Sequence, residues 1–224
     1  MRIKFISLLY FLLSITINSF CQKFAKSQFT LFSYDVSVSD RVKSELSSLE
    51  GYINYKPGEK QDKIEGMLTH GFYEMTNDIL TDTLNIFILP VSSMTDKAKY
   101  NAYGYPDINI RKAIKLADTK FYLKIGASFE NAVPEKKTKT GDKDIFKPKV
   151  IVRIDIYNKE GYMPIQSSVG SAESMNSIEI TPGFIAGMKF VDDSIVKTKN
   201  SENLKDIITR AIIEAIIKIK YKGK

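Results

Sequence analysis

The residue types that carry chemistry are sparse in this chain. His70 is the only histidine and Cys21 the only cysteine among 224 residues. One histidine cannot make a paired-imidazole metal site, and a hydrolytic triad would need it beside a nucleophile and a carboxylate. His70 falls among apolar positions of a predicted helix, where a helix-surface or core-edge role is expected. The patterns G-x-x-x-x-G-K-[ST], G-x-G-x-x-G and G-x-S-x-G are absent, so no phosphate cradle or nucleophile elbow is expected. No residue is expected to be catalytic, and neither a metal site nor a cofactor is expected.

Carboxylates offer the remaining route to catalysis. Glu130, Glu135, Asp142 and Asp144 lie near predicted strand ends. A hydrolase built on them would need two acids held across the scissile bond, a tertiary arrangement that spacing cannot reveal. Asp192 and Asp193 could offer oxygen ligands to a hard cation, but the EF-hand spacing is missing and a solvated loop is the simpler reading.

Two clusters suit binding rather than catalysis. Lys136, Lys137 and Lys139, with Lys143, Lys147 and Lys149 nearby, could meet anionic headgroups, although Glu135, Asp142 and Asp144 dilute the charge. The plain alternative is a solvated hairpin tip. Tyr100, Tyr103 and Tyr105, with Asn101, form a tyrosine loop. Tyrosine gives large contact area at low entropic cost and stacks on sugars or partner chains. Its plain alternative is a loop folded over a sheet.

The elements that must position these residues are legible from periodicity. Gln28–Val38 alternates as a strand, with Phe32, Tyr34, Val36 and Val38 on one side, and suits an edge strand or extended arm. Ser39 can cap a helix whose stripe is Val42, Leu46, Leu49 and Ile53, broken at Lys56-Pro57-Gly58. A second helix is expected from about Lys60 to Asp82. Leu84–Leu89 reads as a buried strand ended by Pro90, and a third helix runs from an Asp107 cap through Ala117. Strands follow at Phe121–Phe129 (with a bulge at Gly126), Lys149–Tyr157 and Met163–Ala172, the last two joined by a turn at 158–161. Residues 173–200 show no dominant period. A helix capped by Ser201 closes the chain, with Leu204, Ile207, Ile208, Ala211, Ala215 and Ile219 inward.

The chain opens with Met1-Arg2-Ile3-Lys4, an apolar run from Phe5 to Ile17, and Ser19 and Cys21 at the spacing of a cleavage site. That is a signal-peptide pattern, with the run too short for a membrane span. The chain is expected to divide into a signal peptide over 1–21, an N-terminal strand or arm and helix over 22–58, and an α/β domain over 59–224. The protein is then periplasmic or secreted, or lipid-anchored through Cys21, although Phe20 is bulky for a lipoprotein signal. Cleavage leaves 203 residues without a thiol, which excludes disulfides. The net charge of +7 falls to about +5 with the leader's Arg2 and Lys4 removed. Nucleic acid is not an expected partner of an exported chain. An envelope protein or an anionic membrane surface is, and oligomeric state stays open.

These elements make an α/β (α+β) fold: a mixed sheet with a crossover helix, N-terminal helices and a C-terminal helix packed on it. The order over about Asp62–Lys220 resembles the α/β domain at the N-terminus of the TolB translocation protein and in the curli secretion channel subunit. The leader resembles those of Bacteroidota exported proteins. The resemblance implies an envelope setting. The expected function is non-enzymatic partner binding in the envelope. The alternatives are an exported carboxylate-dependent hydrolase and a peripheral membrane or lipopolysaccharide binder using the lysine loop.

Overall fold

The computed structural model describes residues 23–94, 97–133, 146–192, 194 and 202–221. The alternating segments build one five-stranded sheet: β1 (Gln28–Val38), β2 (Phe87–Ile88), β3 (Phe121–Asn131), β4 (Pro148–Asn158) and β5 (Gln166–Glu173). Their spatial order is β2-β1-β3-β4-β5. β1 runs parallel to both its neighbours, and β3, β4 and β5 form an antiparallel meander. Helices α1 (Asp40–Leu46), α2 (Lys63–Leu84), α3 (Ile110–Leu116) and α4 (Leu204–Tyr221) complete the fold. It is the mixed α/β architecture expected.

β1 is an inner strand, not an edge or an arm. Its register with β3 slips between Leu31 and Ser33, a bulge at Phe32. Because side chains alternate, one extra residue flips everything after it. Phe29 and Leu31 before the bulge, and Tyr34, Val36 and Val38 after it, therefore share the main core, while Phe32 faces the opposite side. Gly126, where a bulge was expected, pairs in register with Asp35 and Arg153.

The main core lies between the sheet and helices α2 and α4. α2 begins where the Asp62 carboxylate accepts the Glu65 amide at 2.8 Å, and it ends where Asn85 turns left-handed at φ 52°. It therefore runs past the expected end at Asp82 to Leu84, because the Leu80–Leu84 pair continues the buried stripe. The apolar run after it supplies only the two-residue β2. α3 covers the second face, over Phe32, Met94, Ile108, Ala113 and Tyr122. It starts after an Asn109 cap rather than at Asp107.

α4 packs on β4 and β5 with its inward residues as expected, and Ala211 and Ala215 meet Gly170 closely. A methyl group placed on Gly170 would lie 2.1 Å from the Ala211 carbonyl oxygen. That proximity lets α4 reach the free edge of β5. The Arg210 guanidinium donates to the Glu173 carbonyl at 3.0 Å, Glu214 accepts the Ser171 amide at 2.6 Å, and Lys218 donates to the Val169 carbonyl at 2.9 Å. Helix residues four apart thus match strand residues two apart.

Candidate functional site

β2 covers β1 only at Gln28 and Phe29. Beyond that, the tyrosine loop takes over the outer side of β1. The Tyr34 amide donates to Pro106 at 3.0 Å, and Ile108 donates to Phe32 at 3.2 Å. Asn101 organises the loop. Its side-chain amide donates to the Tyr34 carbonyl, and its oxygen accepts the amides of Tyr103 and Tyr105, all at 3.0 Å.

The three tyrosines have different fates. Tyr105 is buried, and its hydroxyl lies 2.8 Å from His70 Nδ1. Tyr103 donates to Glu65 at 2.7 Å and accepts the Asp62 amide at 3.2 Å, tying the loop to the start of α2. Tyr100 is half-buried and donates to the Met94 carbonyl at 3.1 Å. Beside Tyr100 an open groove of about 670 Å³ is walled by Tyr73, Pro90, Val91, Ser92 and Gly104. Its wall from Pro90 onward and Tyr73 from α2 carry no signal in the sequence; only the shortness of β2 brings them to the loop.

Behind the groove is a ring cluster. Tyr105 packs against Tyr34 and Tyr73 at centroid distances of 4.5 and 4.8 Å, and His70 lies among Tyr55, Tyr105 and Phe190. Burial is the main cause pushing the Tyr34, Tyr103 and Tyr105 phenols up, reinforced at Tyr105 by Tyr73 and Glu74. His70 is pulled below the ordinary imidazole range by burial first and by the nearby Lys189 second, against an opposing effect of Glu74. At neutral pH the cluster therefore holds neutral hydroxyls around a neutral imidazole. The hydrogen-bond partner of His70 Nδ1 is the Tyr105 phenol.

Of the acids singled out in the sequence, Glu130 and Asp192 are described and make local contacts. Glu130 accepts from Ser128 at 2.8 Å at the far end of β3, and Asp192 accepts from Ser194. One acid the sequence reading passed over is Asp155, buried in β4 beneath Arg153 at 2.9 Å and Ser167 at 2.5 Å. An aspartate inside an apolar alternation was its only signal. Among the described residues no three His, Cys, Asp or Glu side chains come together as a metal site. No described helix is long and apolar enough to cross a membrane. Lys136, Lys137, Lys139, Glu135, Asp142, Asp144 and Asp193 lie outside the described residues.

No family model and no curated protein matches the chain. Several solved structures are similar in outline. The hypothetical protein CT253 from Chlamydia trachomatis is 13% identical with a TM-score of 0.44, over 88% of this chain and 96% of that one. Lipoprotein GNA1162 from Neisseria meningitidis is 11% identical with a TM-score of 0.41, over 70% of this chain and 88% of that one. A putative neuraminyllactose-binding hemagglutinin homolog from Helicobacter pylori is 6% identical with a TM-score of 0.33, over 90% and 89% of the two chains.

Proposed function

We propose that this is an exported cell-envelope protein that works by binding a partner, and that the groove beside Tyr100 is the contact surface. The observation that carries the reading is the groove itself. Two tyrosines and a proline wall it, and the Asn101 hydrogen bonds hold one side of it rigid. Rigid aromatic walls give contact area without an ordering cost on binding. The signal-peptide pattern over 1–21 supports the compartment, and an element order resembling the TolB-type envelope domain supports the same setting.

The test is capture of envelope components by the tagged protein, compared with Ser92→Arg and Tyr100→Ala variants. Ser92 is exposed, so the arginine fills the groove without touching the core. A component lost by both variants and kept by the unaltered protein identifies the partner. Equal capture by all three proteins removes the groove from the reading.

A further inference from the structure

One end of the sheet combines basic charge with protruding apolar side chains. The starts of β1, β2, β3 and β5 and the end of β4 meet there, where Gln28 pairs with Phe87, Phe121 with Asn158, and Ile156 with Gln166. Three rings close the core at this end. Phe24 packs edge-on against Phe29 and Phe121 at 5.9 and 5.2 Å, and Phe29 stacks on Phe121 at 5.1 Å. Ammonium groups lie over the outer rings: Lys23 is 5.5 Å from the Phe24 centroid and Lys120 is 5.2 Å from that of Phe121. Lys26 and Lys159 are exposed at the same end.

Three of the seven exposed large apolar side chains among the described residues flank these lysines. Phe87 is 56% exposed, Tyr162 57% and Met163 79%. Phe87 belongs to β2, and Tyr162 and Met163 to the β4–β5 connection. At the ~4.8 Å spacing of strands, they stand about 15–20 Å apart with the lysines between them. Tyr162 is held by the Arg111 guanidinium, 4.8 Å from its ring. The exposed acids at this end are fewer: Asp82, Glu160 beside Asn158, and Asp118, bound to Lys159 at 2.5 Å.

An exposed apolar side chain by itself is ordinary. Apolar tips at two corners with cations between them form a different pattern. At a bilayer surface such tips enter the headgroup layer, tyrosine settles at its level, and lysine stems lie along the apolar boundary while their ammonium groups meet phosphates. Lys23 is also the second residue after the predicted cleavage site, which places the export boundary at the same end.

We propose that this end of the sheet docks on an anionic phospholipid bilayer, with Phe87 and Met163 entering the headgroup layer and Lys23, Lys26, Lys120 and Lys159 meeting lipid phosphates. The proposal rests on the exported reading but not on the groove. It draws on none of the lysines at 136–139. Asn131 and Pro148, the paired residues at the opposite end of the 11-residue β3, lie about 35 Å away.

The test is co-sedimentation of the processed protein with vesicles of phosphatidylcholine, alone or mixed with phosphatidylglycerol. The expected result is association only with the mixed vesicles, weakening as salt rises. Lys120→Gln/Lys159→Gln lowers it about 25-fold, at about fivefold per lysine. Phe87→Ser/Met163→Ser lowers it about tenfold, with the circular dichroism spectrum unchanged because all four positions are exposed. Lys136→Gln/Lys137→Gln/Lys139→Gln leaves it unchanged. The proposal is overturned if the folded protein ignores phosphatidylglycerol, if both end variants associate like the unaltered protein, or if only the 136–139 variant loses association. Ser92→Arg separates the two readings: vesicle association kept with partner capture lost supports both, and capture lost by Ser92→Arg but kept by an unaltered protein that ignores the vesicles removes only this one.

Discussion

The ammonium group of Lys218 lies 2.9 Å from the main-chain carbonyl oxygen of Val169, and this contact closes the free edge of the sheet. With Arg210 on Glu173 and Glu214 on Ser171, three helix side chains occupy polar groups that an edge strand otherwise offers to another chain. Glu214→Ala/Lys218→Ala is expected to cost about 1–2 kcal/mol in urea unfolding. It is also expected to raise the light-scattering mass with concentration above that of the unaltered protein. Adding Val169→Lys should reverse the association, because a charge on the strand opposes edge pairing. A mass that stays at the unaltered value at every concentration would show that the ladder does not guard the edge.

Gly170 and Gly66 make a contrasting pair. A methyl on Gly170 meets the backbone of Ala211 and Ala215 at 2.1 and 2.4 Å, whereas the three atoms nearest to one on Gly66 all belong to the Tyr55 ring, the first at 2.0 Å. Backbone cannot rotate away and a half-buried ring can. Gly170→Ala should therefore destabilise by about 3 kcal/mol and Gly66→Ala by about 1 kcal/mol or less, since alanine also favours the helix. Equal midpoints in thermal unfolding would contradict the tight approach of α4 to β5.

Asn101→Ala would leave the Tyr34 carbonyl and the amides of Tyr103 and Tyr105 without their partner. The expected cost is about 2–3 kcal/mol, confined to the loop. Amide exchange should quicken at Tyr103 and Tyr105 while the amides of β3 and β4 stay protected.

His70 sets a pH dependence of definite sign. Its imidazole gives up its proton at lower pH in the folded chain than the ordinary 6.5. Between that lowered value and 6.5 the unfolded chain binds more protons, so stability falls as pH is lowered through the window and is level above it. His70→Phe, placed among the rings of Tyr55, Tyr105 and Phe190, should remove that slope. An unchanged difference between variant and unaltered protein from pH 7 to 5 would show that His70 does not titrate differently on folding.

The amphipathic segments could be read from the sequence because burial on one face leaves a period. β3, β4 and α4 carry it clearly, and their inward residues fall where alternation and the helical stripe place them. β1 was misjudged at Phe32, since a bulge leaves no compositional trace and reverses every side chain beyond it. The Leu84–Leu89 run was ambiguous for the opposite reason: a continuous apolar stretch fits a helix end as well as a strand. Of the binding residues, the tyrosine loop was visible as a cluster. That Tyr105 would turn inward to His70 was not, because the contact joins residues 35 apart through Asn101 and the side of β1. The basic end was hidden more thoroughly, as it gathers one or two residues from each of several segments.

The parallel pairing of β1 with β3 also sets an order of events. Thr30 and Thr119, whose hydroxyls meet at 2.9 Å, are 89 residues apart in the chain. A ribosome or an export channel delivers β1 first, and its central position cannot be filled until β3 has emerged. Until then Phe29, Leu31 and Tyr34 lack their neighbour on that side, so the sheet cannot close before the chain has grown past residue 121.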